Sequence, residues 1–222
     1  MIACYLKNAS LNNMKDQIKW GILGTGRIAR AFAEGLNNAS NGYLYAVGSR
    51  SQNSAQLFAK EWNAPHFFDS YNELARCQEI NAVYIATPHT EHAQNAIKCI
   101  ENRKAVLCEK PFAVNANQVE EMIKKAKEQN ILLMEGMWSR FPPLMDQVRN
   151  LLANNEIGEI RTINADFGFR PVERNLDGRL FNPNLAGGSL LDVGIYPVSL
   201  SFMLNGKPTS FLSDWTKGET GV

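Results

Sequence analysis

The sequence predicts an α/β protein in which a doubly wound parallel sheet is followed by an incomplete, mixed α+β unit. Three observations carry this expectation. Short apolar runs alternate with longer helical stretches from Gln17 to about Gly136, which is how a parallel sheet with covering helices reads. A glycine-rich turn joins the first run to the first helical stretch, and after Arg140 the texture changes to a helix, an alternating segment and a loop rich in Asn, Pro and Gly. At a typical domain size of about 150 residues, the 222 residues amount to about one and a half domains. The expected division is a leader over 1–16, a first domain over 17–136 and a partial second domain over 137–222.

Each element has its own signal. IKWGIL (18–23) reads as the first strand, and RIARAFAEGLNN carries apolar residues at helical spacing. YLYAVGS (43–49) is the second strand, followed by a helix through about Glu61. PHFFDS gives a short third strand, YNELARC a short helix, and NAVYIAT (81–87) a buried strand of β-branched and aromatic residues. HTEHAQNAIKCIENR is a helix, KAVLCEK the fifth strand, NANQVEEMIKKAKEQN a helix with a solvated charged face, and ILLMEG (131–136) the sixth strand. Beyond Arg140, PPLMDQVRNLLANNEIGEI reads as a helix with a turn, and RTINADFGFR alternates like a half-buried strand.

Composition narrows the function classes. The chain is 45% hydrophobic and 20% charged, and its 23 Lys and Arg against 22 Asp and Glu leave a net charge of +1. No basic face for nucleic acid or anionic membrane is expected from that balance. The cysteines at 4, 77, 99 and 108 form no Cys-x-x-Cys pair and no zinc spacing, so reduced thiols and a cytoplasmic location are expected. The most apolar stretch, Gly188 to Leu204, contains Asp192, Gly194 and Pro197 and reads as a buried helix too short to span a bilayer. The first seventeen residues lack the apolar core of a signal peptide and read as a disordered leader, with Met14 an alternative start.

Two constellations speak to chemistry directly. In Gly24-Thr25-Gly26-Arg27-Ile28-Ala29, Gly24 permits a tight turn, Gly26 lets a pyrophosphate approach the backbone, and Ala29 allows close helix packing. The helix N-terminus then presents N–H groups to phosphate. Such turns also serve structural strand-to-helix joints, but one followed by five more strands points to dinucleotide binding. At the end of the second strand stands Gly48-Ser49-Arg50-Ser51 where an NAD site would place an acidic residue. Ser49 and Arg50 suit a 2′-phosphate, which favours NADP with NAD also possible; the alternative is that Arg50 is a surface cation.

The fourth strand ends in Ala86-Thr87-Pro88-His89-Thr90-Glu91-His92 and the fifth in Leu107-Cys108-Glu109-Lys110-Pro111. With LLMEGMWSRFPP and GGSLLDVGIYP, these segments resemble the Gfo/Idh/MocA family of NAD(P)-dependent oxidoreductases, nearest its dihydrodiol and xylose dehydrogenase branch. The resemblance implies a Rossmann domain holding the cofactor through the glycine loop together with Thr87, Pro88, His89, His92, Glu109 and Lys110. It implies further that Lys110 is catalytic, that Tyr196 is the acid/base group and that Asp192 orients the substrate. Trp138 and Arg140, with Glu135 before them, are implied to line the substrate side.

Asp192 and Tyr196 stand four apart, so on an α-helix they would share a face; in isolation they would read as a helix-terminal carboxylate and a core aromatic. His89 and His92 lack the third ligand of a zinc site, and no metal is expected. The activity implied is hydride transfer between NADP and a hydroxyl or carbonyl of a sugar, polyol or cyclic diol. A non-catalytic cofactor-binding sensor and an inactive truncated member are the alternatives. By the same resemblance the complete family protein dimerises through the sheet of its second domain, so a cut second domain predicts an exposed sheet edge prone to association and reduced activity.

Overall fold

The computed structural model describes residues 17–222. The expected leader, Cys4 and the alternative start at Met14 lie outside the described residues. The chain divides into two compact units, the first ending at Gly136 and the second running from Met137 to Val222.

The first unit is a six-stranded parallel sheet formed by β1 (Ile18–Leu23), β2 (Gly42–Gly48), β3 (His66–Phe68), β4 (Ala82–Ile85), β5 (Ala105–Glu109) and β6 (Leu133–Gly136). The spatial order is β3-β2-β1-β4-β5-β6. Winding therefore proceeds outward from β1 to β3 and resumes on the other side at β4, and the crevice of a doubly wound sheet lies where the order reverses, beyond the carboxyl ends of β1 and β4. Helices α1 (Arg27–Asn37), α2 (Gln52–Glu61), α3 (Tyr71–Arg76), α4 (His92–Glu101) and α5 (Ala116–Gln129) make the crossovers. A short 3-10 turn, His89–Glu91, precedes α4 where one continuous helix was expected.

The local chemistry explains where the helices begin. Ser51, Ser70 and Asn115 cap α2, α3 and α5, each side-chain oxygen accepting a backbone N–H from the first turn. Such caps contribute about 1 kcal/mol each. Asn130 ends α5 in a left-handed conformation, φ 53°. β4 is buried along its whole length, and its residues alternate between two cores. Val83 and Ile85 pack with Leu23, Leu74, Ile100 and Met122, whereas Tyr84 packs with Ile22, Ala29, Ala33, Val47 and Phe58. Period-two alternation into two separate layers is what a sheet covered on both faces requires. Leu74 of α3 sits close over two strands: a β-carbon at Gly21 would lie 2.9 Å from its Cδ2 and one at Gly48 3.2 Å from its Cδ1.

The second unit contains α6 (Pro143–Ala153) and α7 (Ile195–Asn205), preceded by a five-residue π turn at Leu190–Gly194. Three expectations are corrected here. RTINADFGFR forms no strand, because alternation can be expressed only where a neighbour supplies ladder partners, and no described residue of this unit pairs with it. The expected exposed sheet edge is absent from the unit for the same reason. The apolar stretch from Gly188 does become helical, at Leu190, but none of the residues of α7 is buried, and Leu190 and Val198 are 68% and 56% exposed.

The stretch Pro183–Asn205 is apolar enough, and by overall length long enough, to cross a membrane. Ala186 and Gly188 break it at φ 54° and 108°, however. The uninterrupted helix runs only from Leu190 to Asn205, about 24 Å at 1.5 Å per residue, against a hydrocarbon core of about 30 Å.

Candidate active site

Four loops leave the carboxyl ends of β1, β2, β4 and β5, and the site residues expected in the first unit lie in them or at the ends of the elements they join, apart from Glu135 on β6. After β1, Gly24 adopts φ 103° and its N–H donates to the Gly48 carbonyl at 2.9 Å. A β-carbon there would lie 2.6 Å from the Ala86 oxygen, so only glycine fits. Thr25 offers its carbonyl to Arg30 Nη1 at 2.6 Å, and Arg30 is held in turn by Glu61 at 3.1 Å. Gly26 is the N-cap of α1, has no side-chain acceptor over its turn, and would meet nothing within 4 Å if it carried a β-carbon. Arg27 and Ile28 open the exposed first turn, while Ala29 and Ala33 are fully buried against the sheet. An unencumbered cradle before an uncapped helix N-terminus fits the pyrophosphate of a dinucleotide.

After β2, the hydroxyls of Ser49 and Ser51 accept backbone N–H groups of Ser51 and Ser54, at 3.3 and 3.4 Å, and so hold the turn that presents Arg50. Burial raises the pKa of the Tyr71 phenol, while the Arg50 guanidinium beside it acts in the opposite direction by charge and hydrogen bonding.

After β4, the buried His92 ring bridges two loops, with Nδ1 2.8 Å from the Pro111 oxygen and Nε2 2.9 Å from the Thr87 oxygen. Burial lowers its pKa, against the two carbonyls, which favour the proton. Thr87 Oγ1 accepts from Asn95 Nδ2 at 3.3 Å, Pro88 leads into the 3-10 turn, and the His89 ring lies 5.7 Å from that of His92.

After β5 comes Glu109, whose carboxylate accepts from the Tyr84 hydroxyl with one oxygen and from the Lys110 N–H at 3.2 Å with the other. Burial raises the pKa of Glu109, and burial together with the Glu109 charge raises that of Tyr84. The Lys110–Pro111 peptide is cis. Glu135, on β6 itself, accepts the Phe112 N–H at 3.0 Å.

In the second unit, Trp138 Nε1 donates to the Tyr196 hydroxyl oxygen at 2.9 Å, and the Phe167 ring meets the Tyr196 ring edge-on at 5.2 Å. Arg140 grips Ser199 twice, through Nε to Oγ at 3.1 Å and Nη2 to the carbonyl at 3.3 Å. Tyr196, Arg140, Phe167, Met145 and Met203 line a concavity of about 260 Å³. The expectation of one continuous α-helical face for Asp192 and Tyr196 is corrected by the π turn, which contains Asp192 and ends just before Tyr196. The buried Asp192 carboxylate is paired with Arg179 at 2.8 Å.

Arg179 and Tyr84 carry no weight in the motifs. The only trace of Tyr84 in the sequence is a hydroxyl inside the otherwise apolar run AVYIA, and Arg179 has none, standing in an irregular loop. Among the described residues no group of three or more His, Cys, Asp or Glu is placed to hold a metal.

Residues 18–137 match the model of the Gfo/Idh/MocA oxidoreductase family, NAD-binding Rossmann fold, and residues 145–221 match the Gfo/Idh/MocA C-terminal domain. The chain belongs to the Gfo/Idh/MocA family. Its first unit is accordingly the NAD-binding Rossmann domain of that family. Curated relatives named trans-1,2-dihydrobenzene-1,2-diol dehydrogenase are 41% identical over 209 residues in Mus musculus and 36% identical over 209 residues in Homo sapiens. Each match covers 92% of this chain and 62% of the relative, so the chain spans less than two thirds of their length.

Among solved structures, a 3-ketoreductase from Actinomadura kijaniata, crystallised with NADP and TDP-benzene, superposes with a TM-score of 0.79 at 28% identity. That match covers 86% of this chain and 58% of the ketoreductase. A scyllo-inositol dehydrogenase from Lactobacillus casei, at 23% identity and a TM-score of 0.61 over 64% of this chain and 43% of its own, shares the fold.

Proposed function

We propose that this Gfo/Idh/MocA protein is an NADP-dependent oxidoreductase acting on a hydroxyl or carbonyl of a sugar, polyol or cyclic diol. The observation that carries the reading is the glycine loop at the point where strand order reverses, with Gly26 unobstructed before an uncapped helix. The dihydrodiol dehydrogenase relatives and the NADP-bound ketoreductase support the cofactor and the substrate class. When bound, the nicotinamide accepts or gives the hydride.

The chain supplies placement and proton transfer. Residues 17–136 form the nucleotide domain and residues 137–222 belong to the substrate domain. Gly24 to Ile28 cradle phosphate, and Ser49 and Arg50 take the 2′-phosphate. Thr87, Pro88, His89, His92 and Glu109 shape the cofactor-facing loops. Lys110, an ammonium beyond the carboxyl end of β5, stabilises the negative charge that builds on the substrate oxygen as hydride reaches a carbonyl, or as a hydroxyl gives up its proton in the reverse direction. Tyr196 is the acid/base group: its oxygen accepts from Trp138 Nε1, so its own O–H is the proton it gives. Asp192, held by Arg179, orients the substrate, with Arg140 and Trp138 beside Tyr196. That ketoreductase has been solved with a lysine replaced and with a tyrosine replaced, the two residue types assigned catalytic roles here. A cytoplasmic location and a homodimer belong to the same reading.

Titrating intrinsic tryptophan fluorescence with NADP and NAD, then screening aldoses, polyols and dihydrodiols for NADPH absorbance, tests the proposal. Binding with turnover of at least one substrate class is expected. Binding without turnover of any would make the protein a cofactor-dependent sensor, and no response to either nucleotide would overturn both readings.

A further inference from the structure

We propose that Tyr84 is a positioning residue for Lys110, acting through Glu109; the inference rests on the function proposed above and extends it. Tyr84 stands on the central strand β4, only 3% exposed, within the apolar layer between the sheet and α1. Packing alone would be met by phenylalanine there, and a phenol in such a layer must find a partner for its hydroxyl. It finds the Glu109 carboxylate on the neighbouring strand.

Glu109 spends its other oxygen on the N–H of the next residue, Lys110, at 3.2 Å. A carboxylate folded back over its own following peptide fixes that peptide's plane, and so the direction in which the Lys110 side chain departs. Gly136 on β6 helps to make this possible, because a β-carbon there would stand 3.4 Å from the carboxylate and 3.2 Å from the Cys108 oxygen.

The other side of Tyr84 is equally specific. Its ring lies stacked on Phe32 of α1, centroids 3.9 Å apart and planes within 13°. α1 is the helix whose N-terminus carries the phosphate cradle. A continuous line of contacts therefore runs from that helix through Phe32, the Tyr84 ring, its hydroxyl and Glu109 to the backbone of Lys110. Removing the hydroxyl while keeping the ring cuts the line at one bond: Glu109 is left with a half-buried oxygen that has lost its donor, and its hold on the Lys110 N–H loosens.

The test is Tyr84→Phe in the full chain, with Glu109→Gln beside it. The amide of Glu109→Gln has a single acceptor oxygen, so it can accept from Tyr84 or from the Lys110 N–H but not from both. Both variants are expected to lower kcat about tenfold to a hundredfold, the scale of a misplaced catalytic group. For Tyr84→Phe, KM and Kd for NADP should stay within about twofold, and in both variants hydrogen exchange should quicken at the Lys110 amide while α1 and β1 stay protected.

A Tyr84→Phe protein with unchanged kcat and unchanged exchange at Lys110 overturns the proposal. So does one whose exchange rises evenly across the domain, since that is the mark of simple destabilisation. Should Tyr84→Phe fail to bind NADP at all, Glu109→Gln decides by the same two readouts. If the wild type turns over none of the substrates, the proposed function fails, whereas the exchange comparison still decides whether Tyr84 fixes the Lys110 backbone.

Discussion

The two glycines of the first loop should respond to alanine in opposite ways. At Gly24 an alanine meets φ 103° and the Ala86 oxygen at 2.6 Å. Backbone strain of about 1–3 kcal/mol and overlap with an immovable carbonyl, about 1–3 kcal/mol more, set the cost at roughly 2–6 kcal/mol. For a chain of this size that is a fall in melting temperature on the order of 5–20 °C. At Gly26 the backbone, φ −77° and ψ −174°, is open to any residue, and a β-carbon touches no protein atom within 4 Å. Gly26→Ala should therefore cost less than about 1 kcal/mol of stability, the scale of a changed N-cap. Its methyl occupies the space kept for phosphate, so the Kd for NADP should rise about tenfold to a hundredfold, the equivalent of about 1.4–3 kcal/mol. Thermal unfolding and fluorescence titration on the same two proteins give both numbers. If Gly26→Ala melted as early as Gly24→Ala while binding NADP normally, the loop would be a structural turn and the phosphate argument would fall.

Three further outcomes are expected. Tyr196→Phe should cut kcat by about a hundredfold or more, the usual contribution of a positioned acid/base group, with the NADP Kd unchanged; steady-state kinetics with any accepted substrate would show it. Arg50→Ala should erode the preference for NADP over NAD by about tenfold or more, measured as the ratio of the two Kd values, since one charge-assisted contact is worth about 1.5–3 kcal/mol. The third concerns pH. Burial depresses the pKa of His92, so below the ordinary imidazole value of about 6.5 the unfolded chain takes up a proton that the folded chain resists. The resulting stability is present above that pH and lost as pH falls through the depressed folded value. Between about pH 7.5 and 5.5 the wild type should lose more stability than His92→Gln in denaturant titrations; equal losses would mean the ring titrates normally.

The Rossmann half was legible because its signals are local. Six apolar runs and a glycine turn each act within a few residues, and the observed strands fall within a residue or a few of where the pattern put them. The second unit resisted for a physical reason: RTINADFGFR has the alternation of a strand, but a strand exists only when another chain segment supplies its hydrogen bonds, and alternation says nothing of that. The Asp192–Tyr196 spacing assumed a regular helix, and a π turn is invisible to counting by fours. Within the site, the loops were readable as motifs, whereas the contacts that hold them were not. Tyr84 reaching Glu109 across two strands and His92 bridging Thr87 and Pro111 join residues 25 and 19 positions apart, beyond any local pattern.

Leu74 fills, from α3, the places of two absent side chains on adjacent strands, at Gly21 and Gly48. The three positions therefore share one volume, and none can drift alone. A homologue that acquires alanine at either strand position should carry a smaller residue in place of leucine on the helix, and one that enlarges the helix residue should keep both glycines. This linked substitution would tie the helix bordering β1 and β2 to the strand ends from which the cofactor loops depart, so the lineage history of three apolar positions would record how firmly those loops have been held.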